Sequence, residues 1–474
     1  MVFSSIEYLF IFIPAFLFAY LLLPFKNGVL LFFSILFYMW GEGYYVAVLL
    51  ASIGINTIIG YAISANQKNA KVWLSTGLFL NLFLLCLFKY LGFFLNDVFG
   101  LSIDLAAWHI RLPIGISFFT FQAISYLVDI YKKPETKDTD PIRVGTYIAM
   151  FPQLIAGPIV RYDSVASALK YRQTTLDNLK TGVFLFTVGL AQKTLIANNA
   201  AIAADNIFAC PPEQISMATA WLGAASYTLQ IYFDFSGYSH MAIGLGVCLG
   251  FRFPENFNFP YSASSITEFW RRWHISLSTW FRDYLYIPLG GNRKGRFSTY
   301  RNLWVVFLLC GLWHGASLTF VFWGAYHGLL LVLERSFLFS FLDRIPKFLG
   351  NVYTMFLVII GWVFFRADDF GTGGMILLKM FGFKLNDTCI YVNQFIDNRL
   401  IVVCLIGFLF TRSCIIKFLP DLILQGLVTE RLENQPGLRK RSTVLLWAVS
   451  AVLFIVSVFP ILAGGYNPFI YFRF

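Results

Sequence analysis

The segment LWVVFLLCGLWHG (303–315) places a histidine at the end of an apolar run that contains no charged residue. His314 follows the run from Leu303 to Trp313 and is followed at once by Gly315. An ionisable ring at membrane depth is costly, so such a residue usually faces a cavity or a protein interior and serves a function. The pattern therefore predicts a membrane segment with His314 as a functional residue.

The composition of the whole chain is that of an integral membrane protein. Of its 474 residues, 58% are hydrophobic and 13% are charged, against roughly 45–50% and roughly 25% in soluble domains. No polar linker or low-complexity stretch marks a separate hydrophilic domain, so we expect one all-α, polytopic domain over residues 1–474. The net charge of +11 fits basic cytoplasmic loops and gives no reason to expect nucleic acid as a partner.

Apolar runs recur along the chain and predict eleven to thirteen transmembrane or re-entrant helices. The first run, Tyr8 to Leu23, follows Glu7 and precedes Lys26, which favours an uncleaved first span over a signal peptide. The positive-inside rule then places the N-terminus outside the cytoplasm. The runs lie at about 8–23, 28–40, 44–63, 72–95, 112–131, 181–203, 216–235, 237–251, 303–316, 318–334, 352–365, 397–411 and 443–463.

Three segments are expected to contain cytoplasmic, re-entrant or interfacial elements, namely 131–143, 161–180 and 264–301. The stretch FPQLIAGPI (151–159) is short and interrupted by proline and glycine. If this stretch crossed the membrane completely, the basic cluster that follows it in the sequence would lie outside the cytoplasm. A re-entrant element is therefore favoured, because irregular backbone is tolerated at membrane depth only where protein or a water-filled cavity covers it.

The stretch TEFWRRWHISLSTWFRDYLYIPLGG (267–291) is too polar to span bare lipid and too aromatic for a solvated loop. Read as one helix ended by the residues at 288–291, it carries Arg271, His274 and Ser278 on one face. An amphipathic helix in or near the interface is predicted. Its apolar stripe consists of Trp270, Trp273, Leu277, Trp280, Phe281 and Tyr284.

The five histidines differ in the strength of their functional signal. His314 is the strongest candidate, and the alternative is a core histidine bonded to a carbonyl on the next helix. Gly311 and Gly315 beside it leave room for a substrate or for another backbone. His327 repeats the pattern in GAYHG, which indicates either close helix packing or a supporting role. His274 is either an interfacial anchor or part of a site, and His240 and His109 rank below these three.

Other common sites are not indicated by the sequence. No HExxH or comparable ligand spacing appears, so no metal is predicted. The seven cysteines are scattered without a CxxC pair and are interpreted as packing residues. The absence of GxSxG, P-loop and GxGxxG motifs in a fitting context argues against a serine hydrolase, an ATPase or a dinucleotide enzyme.

Two carboxylates, Asp129 and Asp234, fall inside apolar runs. Either could pair with Arg161, Arg271 or Arg272 in a structural ion pair. Either could also orient a histidine, as a buried acid does in hydrolytic triads. The structural role is favoured for both.

Taken together, five ordered motifs resemble the membrane-bound O-acyltransferases (MBOAT). The similarity is strongest to the bacterial branch that contains the alginate, cellulose and peptidoglycan O-acetylation proteins and the D-alanyl transfer protein of teichoic acids. It extends to the closing NPFIYFRF (467–474) and so covers essentially the whole chain. The motifs are PIGISFFTFQAISYLVDIY (113–131), FPQLIAGPIVRY (151–162), YFDFSGYSHMAIGLG (232–246), FWRRWHISLSTWFRDYLYIPLGG (269–291) and GLWHGASLTFVFWGAYHG (311–328).

The resemblance implies the MBOAT fold, with its helices arranged around a central tunnel, and an O-acyltransferase activity. It also implies that His314 is catalytic and that His274 is the second functional histidine. One departure is visible, because His240 stands where this branch usually has an aspartate after SGYS. A carboxylate role at that position is therefore not carried over.

The implied reaction moves an acetyl group from acetyl-CoA to a hydroxyl, with no permanently bound cofactor. A buried, neutral His314 could take the proton of the attacking alcohol. His274, an arginine at 271 or 272, or a backbone N–H near a glycine could stabilise the oxyanion. Further donor-binding or tunnel-lining candidates are Arg271, Arg272, Trp273, Trp313, Asp234, His327 and the basic, cytoplasmic residues Arg293, Lys294 and Arg296.

The resemblance also implies a place and partners. We expect the bacterial cytoplasmic (inner) membrane, a periplasmic SGNH-type acetyltransferase that receives the acetyl group, and a polysaccharide biosynthesis or secretion complex. Two alternatives stay open. The chain could transfer D-alanine from a carrier protein to teichoic acid, or it could be a transporter or channel whose histidines act as relay or gating groups.

Overall fold

The computed structural model describes residues 2–104, 111–133, 138–384, 389–412 and 439–470, with the backbone alone over 439–443. Within these ranges the chain forms helices, turns and one isolated bridge, and no β-strand. The predicted all-α class is confirmed. The α-helices are α1 Ile13–Leu22, α2 Lys26–Glu42, α3 Val46–Ala65, α4 Ala70–Leu85, α5 Ile116–Lys132, α6 Pro141–Ala149, α7 Phe151–Leu154, α8 Tyr162–Lys170, α9 Leu176–Ala191, α10 Asn198–Phe208, α11 Met217–Cys248, α12 Ile266–Arg272, α13 Ile275–Phe281, α14 Gly295–His314, α15 Leu318–Leu333, α16 Phe339–Leu342, α17 Lys347–Arg366, α18 Phe370–Met380, α19 Asn398–Phe410 and α20 Arg439–Leu462.

Several of these helices are long and apolar enough to cross a bilayer, whose hydrocarbon core of about 30 Å needs about 20 helical residues. Gly43, with φ 58°, separates α2 from α3, so the long apolar stretch 26–65 comprises two helices, as the sequence predicted. The chain is a multi-pass membrane protein, whereas the total of eleven to thirteen helices stays a prediction. Among the described residues the candidate spans are Lys26–Ala65, Ala70–Tyr90, Leu318–Leu342, Lys347–Arg366 and Val444–Leu462, with shorter apolar helices at Tyr8–Leu22 and Asn398–Phe410.

The chain forms two compact units. The first comprises Met1–Phe186 and Ser239–Pro254, and the second comprises Thr187–Tyr238 and Glu255–Phe474. The helices α9 and α11 each contribute residues to both units. A single domain over 1–474 stays a prediction.

In the first unit, the segment predicted to be re-entrant is irregular and completely covered. Only one short helix, α7, interrupts it, and residues 151–160 are all buried. Two of its polar groups are bonded within the protein: Phe151 donates its N–H to Ser34 Oγ (3.1 Å), and Gln153 Nε2 donates to the carbonyl of Tyr147 (2.7 Å). Such bonding is what allows non-helical backbone to lie at membrane depth.

Asp129, also in the first unit, contacts the start of a helix. Its Oδ2 accepts the backbone N–H of Asp163 (3.1 Å), in the first turn of α8. Backbone N–H groups in the first turn have no partner within the helix, so a carboxylate there stabilises it. This contact agrees with the structural role favoured from the sequence.

In the second unit, α14 and α15 pack against each other through glycines. A Cβ atom at Gly311 would lie 2.3 Å from the carbonyl oxygen of Phe320, and a Cβ at Gly324 would lie 2.3 Å from that of Phe307. A Cβ at Gly315 would lie 2.2 Å from the ring of Phe320. The space at Gly311 and Gly315 is therefore filled by the neighbouring helix, which is the second of the two sequence interpretations of these glycines.

We expect Gly324→Ala to destabilise the protein, because a backbone carbonyl cannot move aside as a side chain can. Overpacking of this kind typically costs about 1–3 kcal/mol. Thermal unfolding in detergent measures the effect. Gly374→Ala in α18 is the matched control, since a Cβ there meets nothing within 4 Å, and equal unfolding temperatures for the two variants would contradict the packing argument.

Candidate active site

His314 is the last residue of α14 and lies in a shell of aromatic rings. It is 6% exposed, and its ring lies edge-on to Trp313, Trp323 and Phe365, with centroid distances of 4.9, 5.2 and 5.1 Å. It also lines a narrow pocket. The other lining residues that the structure describes carry no ionisable group and are Ile231, Phe235, Trp273, Trp323, Trp362, Phe365 and Ile470.

The segment around His274 is not the single helix that the sequence predicted. α12 ends at Arg272, His274 adopts a left-handed conformation (φ 44°, ψ 55°), and α13 begins at Ile275. Two backbone hydrogen bonds to the segment around Asn256 and Asn258 stabilise this break. The N–H of Ile275 donates to the Asn256 carbonyl (3.0 Å), and the N–H of Asn258 donates to the carbonyl of Arg272 (2.9 Å). The face shared by Arg271, His274 and Ser278 therefore does not exist.

The break turns His274 into the protein interior, where it is completely buried. Its Nδ1 lies 3.0 Å from Oδ1 of Asn256, an oxygen that also accepts the hydroxyl of Ser276 (2.8 Å). Because an amide oxygen only accepts, Nδ1 carries the proton and Nε2 has a free lone pair in the neutral ring. Nε2 has no hydrogen-bond partner among the described residues.

Trp313 lies against both of these histidines. Its ring centroid is 5.9 Å from that of His274 and 4.9 Å from that of His314. The structure thus brings together three residues that the sequence selected, His274, Trp313 and His314. Trp273 joins them as a lining residue of the pocket.

His327 lies behind the pocket wall. Its Nδ1 accepts the indole N–H of Trp270 (3.3 Å), and its ring contacts Trp323 at 5.0 Å. Trp323 in turn contacts His314. His327 is therefore placed to support a residue of the pocket wall and does not itself line the pocket.

Arg271 and Arg272, the two arginines before Trp273, do not line the pocket. Arg271 is exposed, and the guanidinium of Arg272 pairs with Glu268 (2.6 Å). Burial raises the pKa of the Glu268 carboxyl, but hydrogen bonds from Ser264 and Arg272 outweigh this and lower the pKa. Neither arginine lines the pocket, so the structure does not support an oxyanion role for them.

Asp234 forms a buried ion pair with a partner that the sequence analysis did not select. Its Oδ1 lies 2.8 Å from Nζ of Lys193, and both side chains are at most 3% exposed. Its Oδ2 accepts the backbone N–H of Ile470 (3.0 Å). The predicted partners Arg271 and Arg272 do not take part in this ion pair. Asp234 is connected to the pocket through its hydrogen bond to Ile470, which is a lining residue.

The remaining candidates are not among the lining residues of the pocket. Arg293, Lys294 and Arg296 are exposed at the start of α14. At 1.5 Å per residue, Arg296 lies about 27 Å along the helix axis from His314. His240 is half-buried in the first unit, and His109 lies outside the described residues.

Sequence reasoning missed Glu334, which is completely buried just after α15. Its carboxylate accepts the backbone N–H groups of Ile266 (2.7 Å) and Thr267 (2.8 Å) at the start of α12. A helix N-terminus favours negative charge, so Glu334 fixes the short helix that leads to His274. The signal was present as a lone acid at the end of the apolar run LLLVLE.

Comparison with known proteins identifies the family of the chain. The profile of the MBOAT, membrane-bound O-acyltransferase family matches residues 34–368, which include His274, His314 and the helices α14 and α15. The match covers more than half of the chain.

Individual relatives extend the similarity further. The probable alginate O-acetylase AlgI of Pseudomonas putida is 40% identical over 494 residues, covering 100% of both chains. The peptidoglycan O-acetyltransferase of Helicobacter pylori is 34% identical over 93% of this chain and 90% of its own length. The teichoic acid D-alanyltransferase of Bacillus subtilis is 28% identical over 54% of this chain and 69% of its own. The family profile and the full-length relatives together establish that this chain belongs to the membrane-bound O-acyltransferase family.

Proposed function

We propose that this protein transfers an acetyl group from acetyl-CoA for the O-acetylation of an extracytoplasmic polysaccharide. The observation that carries the proposal is the buried imidazole of His314 in an otherwise non-ionisable pocket. The similarity to proteins named as alginate and peptidoglycan O-acetylating enzymes supports acetyl as the transferred group. The relative named as a D-alanyltransferase matches a smaller part of the chain at lower identity, which makes D-alanyl transfer the weaker alternative.

In the proposed reaction the hydroxyl oxygen of the acceptor attacks the thioester carbonyl carbon. The C–O bond forms, the C–S bond breaks, and the hydroxyl proton passes through His314 to the departing thiolate, giving an ester and free CoA thiol. The neutral form of the imidazole is the one that accepts a proton. The surrounding rings exclude water, which protects the thioester from hydrolysis.

His274 presents a hydrogen-bond acceptor and is unsuited to stabilise an oxyanion. With Nδ1–H directed to Asn256, the neutral ring presents a lone pair at Nε2 and no donor. Arg271 and Arg272 do not line the pocket. Of the oxyanion donors that the sequence left open, a backbone N–H near a glycine remains.

The donor is proposed to enter from the cytoplasm and the acetyl group to leave on the other side. In this scheme the protein lies in the bacterial cytoplasmic membrane with its N-terminus in the periplasm, and a periplasmic SGNH-type partner passes the acetyl group to the polymer. The exposed turn with Arg293, Lys294 and Arg296 would bind the CoA phosphates, because clustered cations attract phosphate groups.

Replacing Arg293, Lys294 and Arg296 together by glutamine is expected to weaken binding of acetyl-CoA. The loss should be largest at low salt and shrink as salt screens the remaining attraction. The Michaelis constant for acetyl-CoA, measured over a salt series, tests this. The exposed Lys68 and Lys71, replaced in the same way, serve as control, and equal constants for all three proteins at low salt would contradict the assignment.

Membrane vesicles that expose the cytoplasmic side test the function itself. With labelled acetyl-CoA outside, we expect label to reach a hydroxyl acceptor only when the protein is present. Transfer of D-alanine from a carrier protein, with none from acetyl-CoA, would favour the alternative donor. Uptake of label without ester formation would favour a transporter.

A further inference from the structure

The pocket wall contains two kinds of residue that differ in how they are held. Its aromatic part is interlocked: Trp323 contacts Trp362 (5.9 Å) and Phe365 (4.9 Å), and Trp362 contacts Trp273 (4.9 Å). Packed rings of this kind cannot yield to a larger ligand without a general rearrangement. The aliphatic part of the wall consists of Ile231 and Ile470.

Ile470 lines the pocket from outside its helices. It lies in the segment that follows α20, and its side chain is buried. Its backbone N–H donates to Oδ2 of Asp234 (3.0 Å), the carboxylate that also pairs with Lys193. A buried ion pair therefore fixes the position of one pocket residue, next to Phe235 on α11.

The neighbouring residues of this segment are held as well. The amide of Asn198 donates to Oδ1 of Asn467 (3.0 Å), and Nζ of Lys193 donates to the carbonyl of Pro468. The ring of Phe469 packs on that of Tyr238, with centroids 5.0 Å apart. These contacts fix the segment on both sides of Pro468. The position of the Ile470 side chain in the pocket wall is therefore fixed as well.

We infer that Ile470 is a specificity-determining residue, whose side chain limits the acyl group that can lie beside His314 to about two carbons. This inference rests on the proposed function. The pocket is narrow and apolar, and one methylene in such a pocket is worth roughly 10–200-fold in discrimination. A shorter side chain at 470 leaves the interlocked rings intact and gives a propionyl group the space that it needs.

The experiment is a competition between acetyl-CoA and propionyl-CoA, using the full-length protein in membrane vesicles. We expect Ile470→Val and Ile470→Ala to raise the propionyl-to-acetyl product ratio progressively, with a gain of about tenfold or more for the alanine variant. Ile470→Phe should lower acetyl transfer itself. Ile376→Ala, which truncates a buried isoleucine outside the pocket lining, is expected to leave the ratio unchanged.

The outcomes separate the inference from the function on which it rests. If the wild type transfers acetyl and both shortened variants keep its product ratio, Ile470 does not determine specificity. If Ile376→Ala changes the ratio as much as Ile470→Ala does, the effect is a general loosening and the inference is also wrong. A wild-type protein that transfers neither acyl group overturns the proposed function, and the inference with it.

Discussion

Replacing His314 by alanine is expected to reduce acyl transfer by about 10²–10⁴-fold, the range that general acid–base catalysis contributes. The side chain is buried among rings and is the ionisable group of the lining that the structure describes, so none of the other described lining residues can take over the proton. His314→Gln should lose as much activity, because an amide of similar size does not titrate. The measurement is the transfer of labelled acetyl groups in vesicles, with thermal unfolding as a check that each variant is folded.

Two additions distinguish a chemical from a structural role for His314. Cys310→Ala truncates a buried side chain one turn earlier in the same helix and should leave activity nearly unchanged. Added imidazole should partly restore His314→Ala, which has an empty space of matching shape, and should not restore His314→Gln. If His314→Ala passes acyl groups at an undiminished rate, the imidazole is not the base and the transporter interpretation gains support.

The membrane location of the chain and the importance of His314 could be predicted from the sequence, because both predictions depend on the free-energy cost of placing polar groups in lipid. Apolar runs of sufficient length predicted helices such as α3, α15 and α17, and an ionisable ring at the end of such a run predicted a function. These arguments need only local sequence. The lining of the pocket needs tertiary structure, because its residues come from α11, the break between α12 and α13, α14, α15, α17 and the segment at 470.

The break at His274 shows where local reasoning fails. The residues from Trp270 to Ile275 include no proline or glycine, and their periodicity is that of a continuous helix. The left-handed conformation at His274 is imposed by hydrogen bonds from a segment about seventeen residues earlier, at Asn256 and Asn258. These long-range bonds break the helix between Arg271 and His274. The sequence alone therefore could not show that Arg271 lies outside the pocket.

Charged residues were also hard to pair from the sequence. Lys193 lies in an apolar region and is not part of a recognisable motif. Its partner Asp234 lies 41 residues later in the sequence. The sequence suggested Arg161, Arg271 or Arg272 as partners of Asp234. The structure instead uses a lysine on the short π-helical segment Gln192–Ala197, which the 3.6-residue helical period does not predict.

Lys193→Met is expected to destabilise the protein by about 3–5 kcal/mol, since removing one partner of a buried pair leaves an uncompensated charge. The Lys193 and Asp234 side chains are 3% and 1% exposed, so water cannot solvate the remaining carboxylate. The double variant Lys193→Met with Asp234→Asn should recover much of the loss, because the amide is neutral and keeps an oxygen for the N–H of Ile470. Thermal unfolding in detergent, together with the yield of folded protein, gives the comparison.

A partly exposed ion pair provides the reference for this experiment. Lys180 pairs with Asp177 at 2.9 Å, but the Asp177 side chain is 53% exposed, and pairs of this kind contribute about 0–1 kcal/mol. We therefore expect Lys180→Met to change the unfolding temperature far less than Lys193→Met does. Equal changes for the two lysines would mean that the pair at Asp234 is solvated. The carboxylate could then not hold the backbone of Ile470 as firmly as its place in the pocket wall requires.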